Sequence, residues 1–271
     1  MTKYLFALDL DGTILDRHKN ISRFTKKYFR KLQEKGHIVV IATGRPYRAA
    51  KRYYEELNLE TPLICYNGAF VYAPKDATFP NLVSLFKKDL VFQVLKTLTG
   101  LYSNVLLETN EEIFFDHEDH DLSPFFWKED MKVYQGNVFE TLFVDPMTVI
   151  LRVDKEAMPL IQERLLQYPE LEARAWAFLP FCEISYRQVS KSSGIRLVAQ
   201  HYDVASCHIV AAGDSDNDLL MVEDAAIGIA MKNAIIELKA IADYVTVHDN
   251  NHNGLPRLIK KLLRKKIINE A

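Results

Sequence analysis

Short apolar runs recur in the first and last thirds of the chain, and longer amphipathic stretches separate them. The runs are rich in Val, Ile, Leu and Ala, which is typical of strands buried on both faces. Strands are therefore expected at 4–8, 38–42, 63–65, 207–212, 226–230 and 244–247. The intervening stretches predict helices, the first with Ser22 as its N-cap and Gly36 as its C-terminal stop. Strands that alternate with helices predict an α/β fold with a doubly wound parallel sheet.

The middle of the chain, residues 83–188, has a different pattern. It is rich in aromatic side chains and in strand-like alternation, and two helices are expected, at 89–99 and 155–167. This pattern predicts an inserted α+β domain. The expected domains are thus a core made of 1–82 and 189–271 and an insertion made of 83–188.

Composition and charge exclude several classes of protein. The 271 residues are 48% hydrophobic, which suits a soluble globular chain of about two domains. The net charge of -2 lacks the basic excess of a nucleic-acid-binding surface. No apolar stretch approaches the ~18 residues of a membrane span, and Asp9 interrupts the first apolar run too early for a signal peptide. Three cysteines, with Cys65 and Cys207 expected in buried strands, fit reduced thiols in a cytoplasmic protein.

The first expected strand ends in two carboxylates. Asp9 and Asp11 follow the run 4–8, and Gly12 and Thr13 come next. A strand that breaks into a glycine turn places its last side chains at the carboxyl edge of the sheet, where α/β sheets bind ligands. The pair could hold a divalent cation, or divide the work of nucleophile and general acid. The alternative is an ordinary Asp-Gly turn without chemistry.

A second acidic cluster follows a later strand. Residues 213–218 have the sequence GDSDND and come directly after the run 207–212. If the two strands are neighbours in a parallel sheet, their carboxylates meet, and such a concentration of charge is costly without a cation. Oxygen ligands favour Mg²⁺ or Ca²⁺ over zinc. The alternative is a polar loop in which Asp216 or Asn217 caps a helix over 218–223.

Two further segments carry groups that suit an anion. Thr43 and Gly44 follow the run 38–42, and Pro46 suits the first position of a helix. The Thr43 hydroxyl and the backbone N–H groups near Gly44 would then lie at a helix N-terminus, which attracts anions. Lys191 stands at the start of a later expected helix. Taken alone, a lysine there is usually an exposed surface residue.

In this order, the segments resemble the motifs of the haloacid dehalogenase-like superfamily of phosphatases. The matching motifs are DLDGT at 9–13, TGR at 43–45, Lys191, and GDSDND at 213–218. Two other stretches, CYNGA at 65–69 and GIAMKNA at 228–234, are similar to the Cof-type branch in particular. The resemblance implies a Rossmann-like core and a large C2-type cap domain over 83–188.

The resemblance also implies a role for each matched residue. Asp9 would be the nucleophile and Asp11 the general acid and base, and with Thr43 and Lys191 they form the expected catalytic set. The expected ligands of a Mg²⁺ cofactor are Asp9, Asp11 through its backbone carbonyl, Asp214, and Asp218 directly or through water. The expected substrate-binding residues are Thr43, Gly44, Arg45, Asn67, Lys191 and Asn217.

The implied function is the Mg²⁺-dependent hydrolysis of small phosphomonoesters, such as sugar or cofactor phosphates, through an aspartyl-phosphate. The cap would select the leaving group, with Glu183 and Arg187 as weaker candidates for substrate contact. Two alternatives stay open: a phosphotransferase or phosphomutase that uses the same intermediate, and a regulatory module that binds phosphate without turnover. The presence of Asp11 argues against the module. No nucleic acid or membrane partner is expected, and the oligomeric state stays open, with a monomer among the alternatives.

Overall fold

The structure is a computed structural model that describes residues 2–121, 131–176 and 179–268. The chain divides into two compact units, Met1–Leu82 with Ser190–Ala271, and Val83–Val189. We call the first the core unit and the second the cap unit.

The helices and strands are numbered in chain order. The first part of the core unit contains β1 (Leu5–Leu8), α1 (Arg23–Glu34), β2 (Ile38–Ile41), α2 (Tyr47–Glu56), β3 (Leu63–Cys65) and β4 (Phe70–Tyr72), and ends at β5 (Leu82–Val83). The cap unit contains α3 (Lys88–Thr97), β6 (Asn104–Glu108), β7 (Glu112–Phe115), β8 (Lys132–Gln135), α4 (Val138–Thr141), β9 (Thr148–Arg152), α5 (Met158–Leu165), β10 (Leu171–Ala175) and β11 (Phe181–Tyr186). The second part of the core unit contains α6 (Lys191–His201), β12 (Ile209–Gly213), α7 (Leu219–Asp224), β13 (Ile227–Ala230), α8 (Ile236–Ile241), β14 (Tyr244–Val245) and α9 (Gly254–Arg264).

A five-stranded parallel sheet forms the centre of the core unit. Its strand order is β14-β13-β12-β1-β2. The residues of β1 are all buried, with Leu8 opposite Ala212 on one side and Ile41 on the other. Burial on both faces explains why these strands appear in the sequence as unbroken apolar runs. The predicted parallel α/β sheet is therefore confirmed.

The signals at helix ends were mostly interpreted correctly. Ser22 accepts a hydrogen bond from the backbone of the first turn of α1, and Gly36 follows that helix with a φ of 81°. Ser190 caps α6 through a reciprocal pair of hydrogen bonds with Ser193. Pro46, expected as the first helical residue, is instead the N-cap of α2, because its ψ of 156° is extended.

The prediction for one cysteine was wrong. Cys207 is exposed and lies before β12, which begins at Ile209. The backbone N–H of His208 donates to the carbonyl of Ala205 at 2.8 Å, and this closes a turn where the sequence predicted strand. Cys65 is buried in β3, as expected.

The cap unit is an α+β domain with a six-stranded sheet. The strand order is β10-β11-β9-β6-β7-β8, and neighbouring strands are antiparallel except for β7 and β8, which are parallel. Helices α3 and α5 pack on one face, where Leu95 and Ile161 join Val105 and Leu151 in a buried cluster. The predicted pair of helices is confirmed, and α4 is an additional short helix.

The two weaker candidates for substrate contact are engaged within the cap unit. Glu183 pairs with Arg174, and the Nε of Arg187 donates to the carbonyl of Pro169 at 3.0 Å.

Among the described residues of the whole chain, no helix combines the length and apolar character needed to cross a bilayer.

Candidate active site

The two acidic clusters meet at the carboxyl edge of the core sheet. Asp9 follows β1 and Asp214 follows β12, and these strands are neighbours in parallel register. The backbone N–H of Asp9 donates to the carbonyl of Ala212 at 3.0 Å, which ties the two strand ends together. The adjacency that the sequence analysis required for a shared site is therefore present.

Lys191 lies between two of the carboxylates. Its Nζ is 2.7 Å from Oδ1 of Asp9 and 2.7 Å from Oδ1 of Asp218, and its side chain is fully buried. Burial opposes the positive charge, but Asp218 and Asp9 outweigh it, so the pKa of Lys191 lies above its ordinary value. The ammonium is therefore charged, and the surface-residue alternative for Lys191 is wrong.

Three carboxylates surround this lysine in a way that suits a divalent cation. Asp9, Asp214 and Asp218 each place a carboxylate oxygen within 4.8 Å of the others. Burial raises the pKa of Asp9 to about 7, against the opposing charge of Lys191, and raises that of Asp214 to about 8, with Asp9 adding to the effect. When all three carboxylates are ionised, they outnumber the single ammonium and leave excess negative charge. The donors are all oxygens, so the site fits Mg²⁺.

Asp218 accepts hydrogen bonds with both of its carboxylate oxygens. Its Oδ1 accepts from Lys191, and its Oδ2 accepts from the backbone N–H groups of Asp214 at 2.9 Å and Ser215 at 3.1 Å. Both carboxylate oxygens of Asp218 therefore already accept hydrogen bonds from other groups of the site. The N-cap of this turn is Ser215, in a reciprocal arrangement with Asp218, and not Asp216 or Asn217.

Asp11 is not part of the cluster of three carboxylates. Its Oδ2 accepts from Nε of Arg45 at 2.5 Å, and its Oδ1 accepts from Nη2 of Arg45 at 2.7 Å and from Nζ of Lys19 at 2.5 Å. Burial favours the neutral acid, but Arg45 and Lys19 outweigh it and lower the pKa of Asp11 to about 2. A metal contact through the backbone carbonyl of Asp11 stays a prediction.

The remaining predicted residues lie close together around the buried Thr43. The Oγ1 of Thr43 accepts from the backbone N–H of Arg45 at 3.1 Å, and the carbonyl of Thr43 accepts from the N–H of Asn67 at 3.1 Å. The Nδ2 of Asn217 donates to Oδ1 of Asn67 at 2.9 Å. Gly44 is exposed here, and a Cβ on it would lie 3.0 Å from that same Oδ1.

Sequence reasoning missed Lys19. It lies in a polar loop between β1 and α1, where no spacing rule singles out one lysine among its neighbours. Its backbone has a φ of 59°, and its N–H donates to the carbonyl of Asp16 at 2.9 Å. This tight turn brings the ammonium to Asp11, and the sequence pattern alone does not reveal it.

Comparisons with known proteins agree with this geometry. The chain matches the model of the haloacid dehalogenase-like hydrolase family over residues 6–259. It is 35% identical over 264 residues to YitU of Bacillus subtilis, a 5-amino-6-(5-phospho-D-ribitylamino)uracil phosphatase, with 95% of this chain and 97% of that protein covered. YcsE of the same organism, with the same named activity, is 28% identical over 260 residues, covering 94% of each chain.

The fold is shared with solved structures along nearly the whole chain. A haloacid dehalogenase-like hydrolase from Bacillus subtilis superposes with a TM-score of 0.81 at 25% identity, covering 96% of this chain and 100% of the other. The family match, the relatives and the fold thus cover both units. The chain belongs to the haloacid dehalogenase-like hydrolases, in the Cof-type phosphatase branch that its motifs resemble.

Proposed function

We propose that this protein is a Mg²⁺-dependent phosphomonoester hydrolase that acts on small phosphorylated metabolites through an aspartyl-phosphate on Asp9. The observation that carries the proposal is the buried ammonium of Lys191, held between Asp9 and Asp218. Asp214 lies beside them in the same carboxylate cluster. A carboxylate nucleophile, a buried cation and an oxygen donor set for a divalent ion are the parts that phosphoryl transfer uses.

Asp9 acts in the first step as the nucleophile. Lys191 holds its Oδ1, and among the described residues no hydrogen bond engages its Oδ2. This oxygen attacks phosphorus, and the bond from phosphorus to the leaving oxygen breaks as the new bond forms. Lys191 offsets negative charge on the transferred group. When bound to Asp9 and Asp214, Mg²⁺ would supply further positive charge to the phosphoryl oxygens.

Asp11 acts in both steps through proton transfer. In the second step, it accepts a proton from the water that attacks the aspartyl-phosphate, and its lowered pKa favours the ionised carboxylate that this role needs. In the first step, Asp11 must donate a proton to the leaving alkoxide. Since Arg45 and Lys19 favour the ionised carboxylate, donation requires those contacts to loosen.

The relatives guide the proposed substrate class. The names of YitU and YcsE specify a ribityl phosphate carried by a pyrimidine. We extend this class to the present chain: the substrate is the phosphate ester of a sugar or polyol, and the named pyrimidine compound is the first to test.

The test is metal-dependent phosphate release from that compound, from a panel of sugar phosphates and from para-nitrophenyl phosphate. We expect release with Mg²⁺, none with a chelator, and a loss of roughly a thousandfold or more in Asp9→Asn. Glu56→Gln is the control, because this partly exposed acid pairs with Lys26 away from the site, and it should keep full activity.

Two outcomes would change the proposal. Release that survives Asp9→Asn would contradict the aspartyl-phosphate route. Transfer of phosphate to an added alcohol, without free phosphate, would favour the phosphotransferase alternative.

A further inference from the structure

Residues 231–235, which begin within the stretch GIAMKNA and end one residue beyond it, lie directly after β13 at the carboxyl edge of the core sheet. The backbone N–H of Met231 donates to the carbonyl of Gly213 at 3.0 Å. The N–H of Ile235 donates to the carbonyl of Asp214 at 2.9 Å. These two main-chain hydrogen bonds fix the backbone that carries the carboxylate of Asp214.

The side chain of Asn233, in the same segment, reaches the other acidic loop. Its Nδ2 donates to the carbonyl of Gly12 at 2.8 Å, and its Oδ1 accepts from the backbone N–H of Asn250 at 3.2 Å. The Nδ2 of Asn250 in turn donates to the carbonyl of Leu15 at 2.8 Å. Two asparagine amides therefore hold the main chain of the loop that follows Asp9.

The two acidic loops touch at Gly12. Its φ of 71° is left-handed, and a Cβ on it would lie only 2.1 Å from Oδ2 of Asp214. The Oγ1 of Thr13 lies 3.5 Å from Oδ1 of Asp214. Because the backbone of Gly12 packs closely against Asp214 and lies three residues after Asp9, we expect a shift of this backbone to change the distance between the two carboxylates.

We propose that Asn233 is a positioning residue of the metal site: by joining the Gly12 loop to the segment that holds Asp214, it sets the spacing of the carboxylates and tightens Mg²⁺ binding. This inference rests on the proposed function. The amide of Asn233 itself bonds only to main-chain atoms of Gly12 and Asn250 among the described residues, and it is exposed. Groups that orient metal ligands from outside typically change metal affinity by about 10–100-fold when removed.

The test compares the Mg²⁺ dissociation constants of the full-length protein, Asn233→Ala and Asn251→Ala by titration calorimetry. Asn251 is a matched control. Its Oδ1 accepts from the backbone N–H of Arg17, which lies on the same loop but five residues after Gly12. We expect Asn233→Ala to bind Mg²⁺ about tenfold or more weakly, and Asn251→Ala to match the unchanged protein. Titrations are run where circular dichroism shows all three proteins folded.

The outcomes separate this inference from the proposed function. If the unchanged protein binds Mg²⁺ and Asn233→Ala binds it equally well, the inference is overturned and the phosphatase proposal stands. If Asn251→Ala weakens binding as much as Asn233→Ala, the effect belongs to the loop in general, and the specific role of Asn233 is overturned. If the unchanged protein binds no Mg²⁺, the proposed function fails and the inference fails with it.

Discussion

The carboxylate of Asp11 is bound by Arg45 and Lys19, and both of these residues contact Tyr53. The guanidinium of Arg45 lies 5.3 Å from the centre of the buried Tyr53 ring, and the hydroxyl of Tyr53 donates to the carbonyl of Lys19 at 3.0 Å. Tyr53 therefore contacts both partners of Asp11. The side chains that hold the Asp11 carboxylate are themselves held by Tyr53, which restricts the position of this carboxylate.

The ion pair of Asp11 with Arg45 predicts a pH-dependent effect of Arg45→Met. The pKa of Asp11 is about 2 in the folded protein against an ordinary 3.8, so the pairing stabilises the fold above pH 3.8 and this stabilisation is lost as the pH falls through 2. We expect Arg45→Met to lower the unfolding free energy by about 1 kcal/mol at pH 6, since Asp11 is 39% exposed and solvent screens the pair. The difference should shrink to roughly half by pH 3 in urea denaturation.

Arg52→Met is the control for this measurement. Arg52 packs over the ring of Tyr53 and donates to the carbonyl of Lys19, and no ion pair joins it to a carboxylate among the described residues. Its effect on the unfolding free energy should not change between pH 6 and pH 3. An effect of Arg45→Met that is equally constant would contradict the role given to the ion pair.

At the level of residues, the sequence identified the groups proposed to do chemistry more readily than the groups that hold them. Asp9, Asp214 and Lys191 stand beside strand ends and a helix start, which local patterns predict. Lys19 reaches the carboxylate of Asp11 through a tight turn, and Asn233 donates to the main-chain carbonyl of Gly12, which is distant in sequence. No local pattern specifies either contact.

Among the elements, the turn after β3 has three consecutive residues in the left-handed backbone conformation. Tyr66, Asn67 and Gly68 have successive φ values of 47°, 53° and 103°, all in the left-handed region. Such conformations cost free energy in residues other than glycine and persist where surrounding contacts compensate. The contacts here include the N–H of Tyr66, which donates to the carbonyl of Arg45 at 3.1 Å. The turn thereby links β3 to the TGR loop.

Gly68 in this turn predicts an element-level effect on stability. A Cβ on Gly68 would lie 2.1 Å from the carbonyl oxygen of Ser190, the residue that precedes Lys191. We expect Gly68→Ala to lower the unfolding free energy by about 3 kcal/mol, since the backbone of the lysine loop must move, and to reduce phosphate release. Urea denaturation and the release assay measure the two effects.

Gly36→Ala separates backbone strain from this close approach. Gly36 also has a left-handed φ, of 81°, but a Cβ there would meet nothing within 4 Å. It should cost about 1 kcal/mol. Equal effects of the two substitutions would show that the contact with Ser190 has no role of its own.

Strands and helices were predicted with an accuracy that followed their burial. Strands β1, β12 and β13 of the core sheet are fully buried, so their apolar runs stand out in the sequence. The errors came at ends, where hydrogen bonding of single residues decides the boundary. Pro46 and Cys207 are the two examples, one at a helix N-cap and one in a turn before a strand.

At the scale of the whole molecule, each unit has a hydrophobic interior of its own. In the cap unit, α3 and α5 cover one sheet face, and a second buried cluster lies on the other face, with Leu106, Phe115 and Ile150 among its members. A segment with its own sheet and its own core has the features of a domain that folds independently.

The cap unit therefore predicts the behaviour of a fragment. Residues 83–189, expressed alone, should unfold cooperatively in urea and show the circular dichroism of a mixed α and β domain, because their buried core lies within the segment. A fragment that shows no cooperative transition would contradict the independence of this unit.

The raised pKa values of Asp9 and Asp214 have a consequence for how the protein takes up metal. With pKa values of about 7 and about 8, these carboxyl groups are partly protonated near neutral pH. A cation that takes their lone pairs must displace those protons, so Mg²⁺ and H⁺ compete for the same oxygens. If Mg²⁺ binds as proposed, its occupancy at a fixed concentration is expected to fall as the solution is acidified.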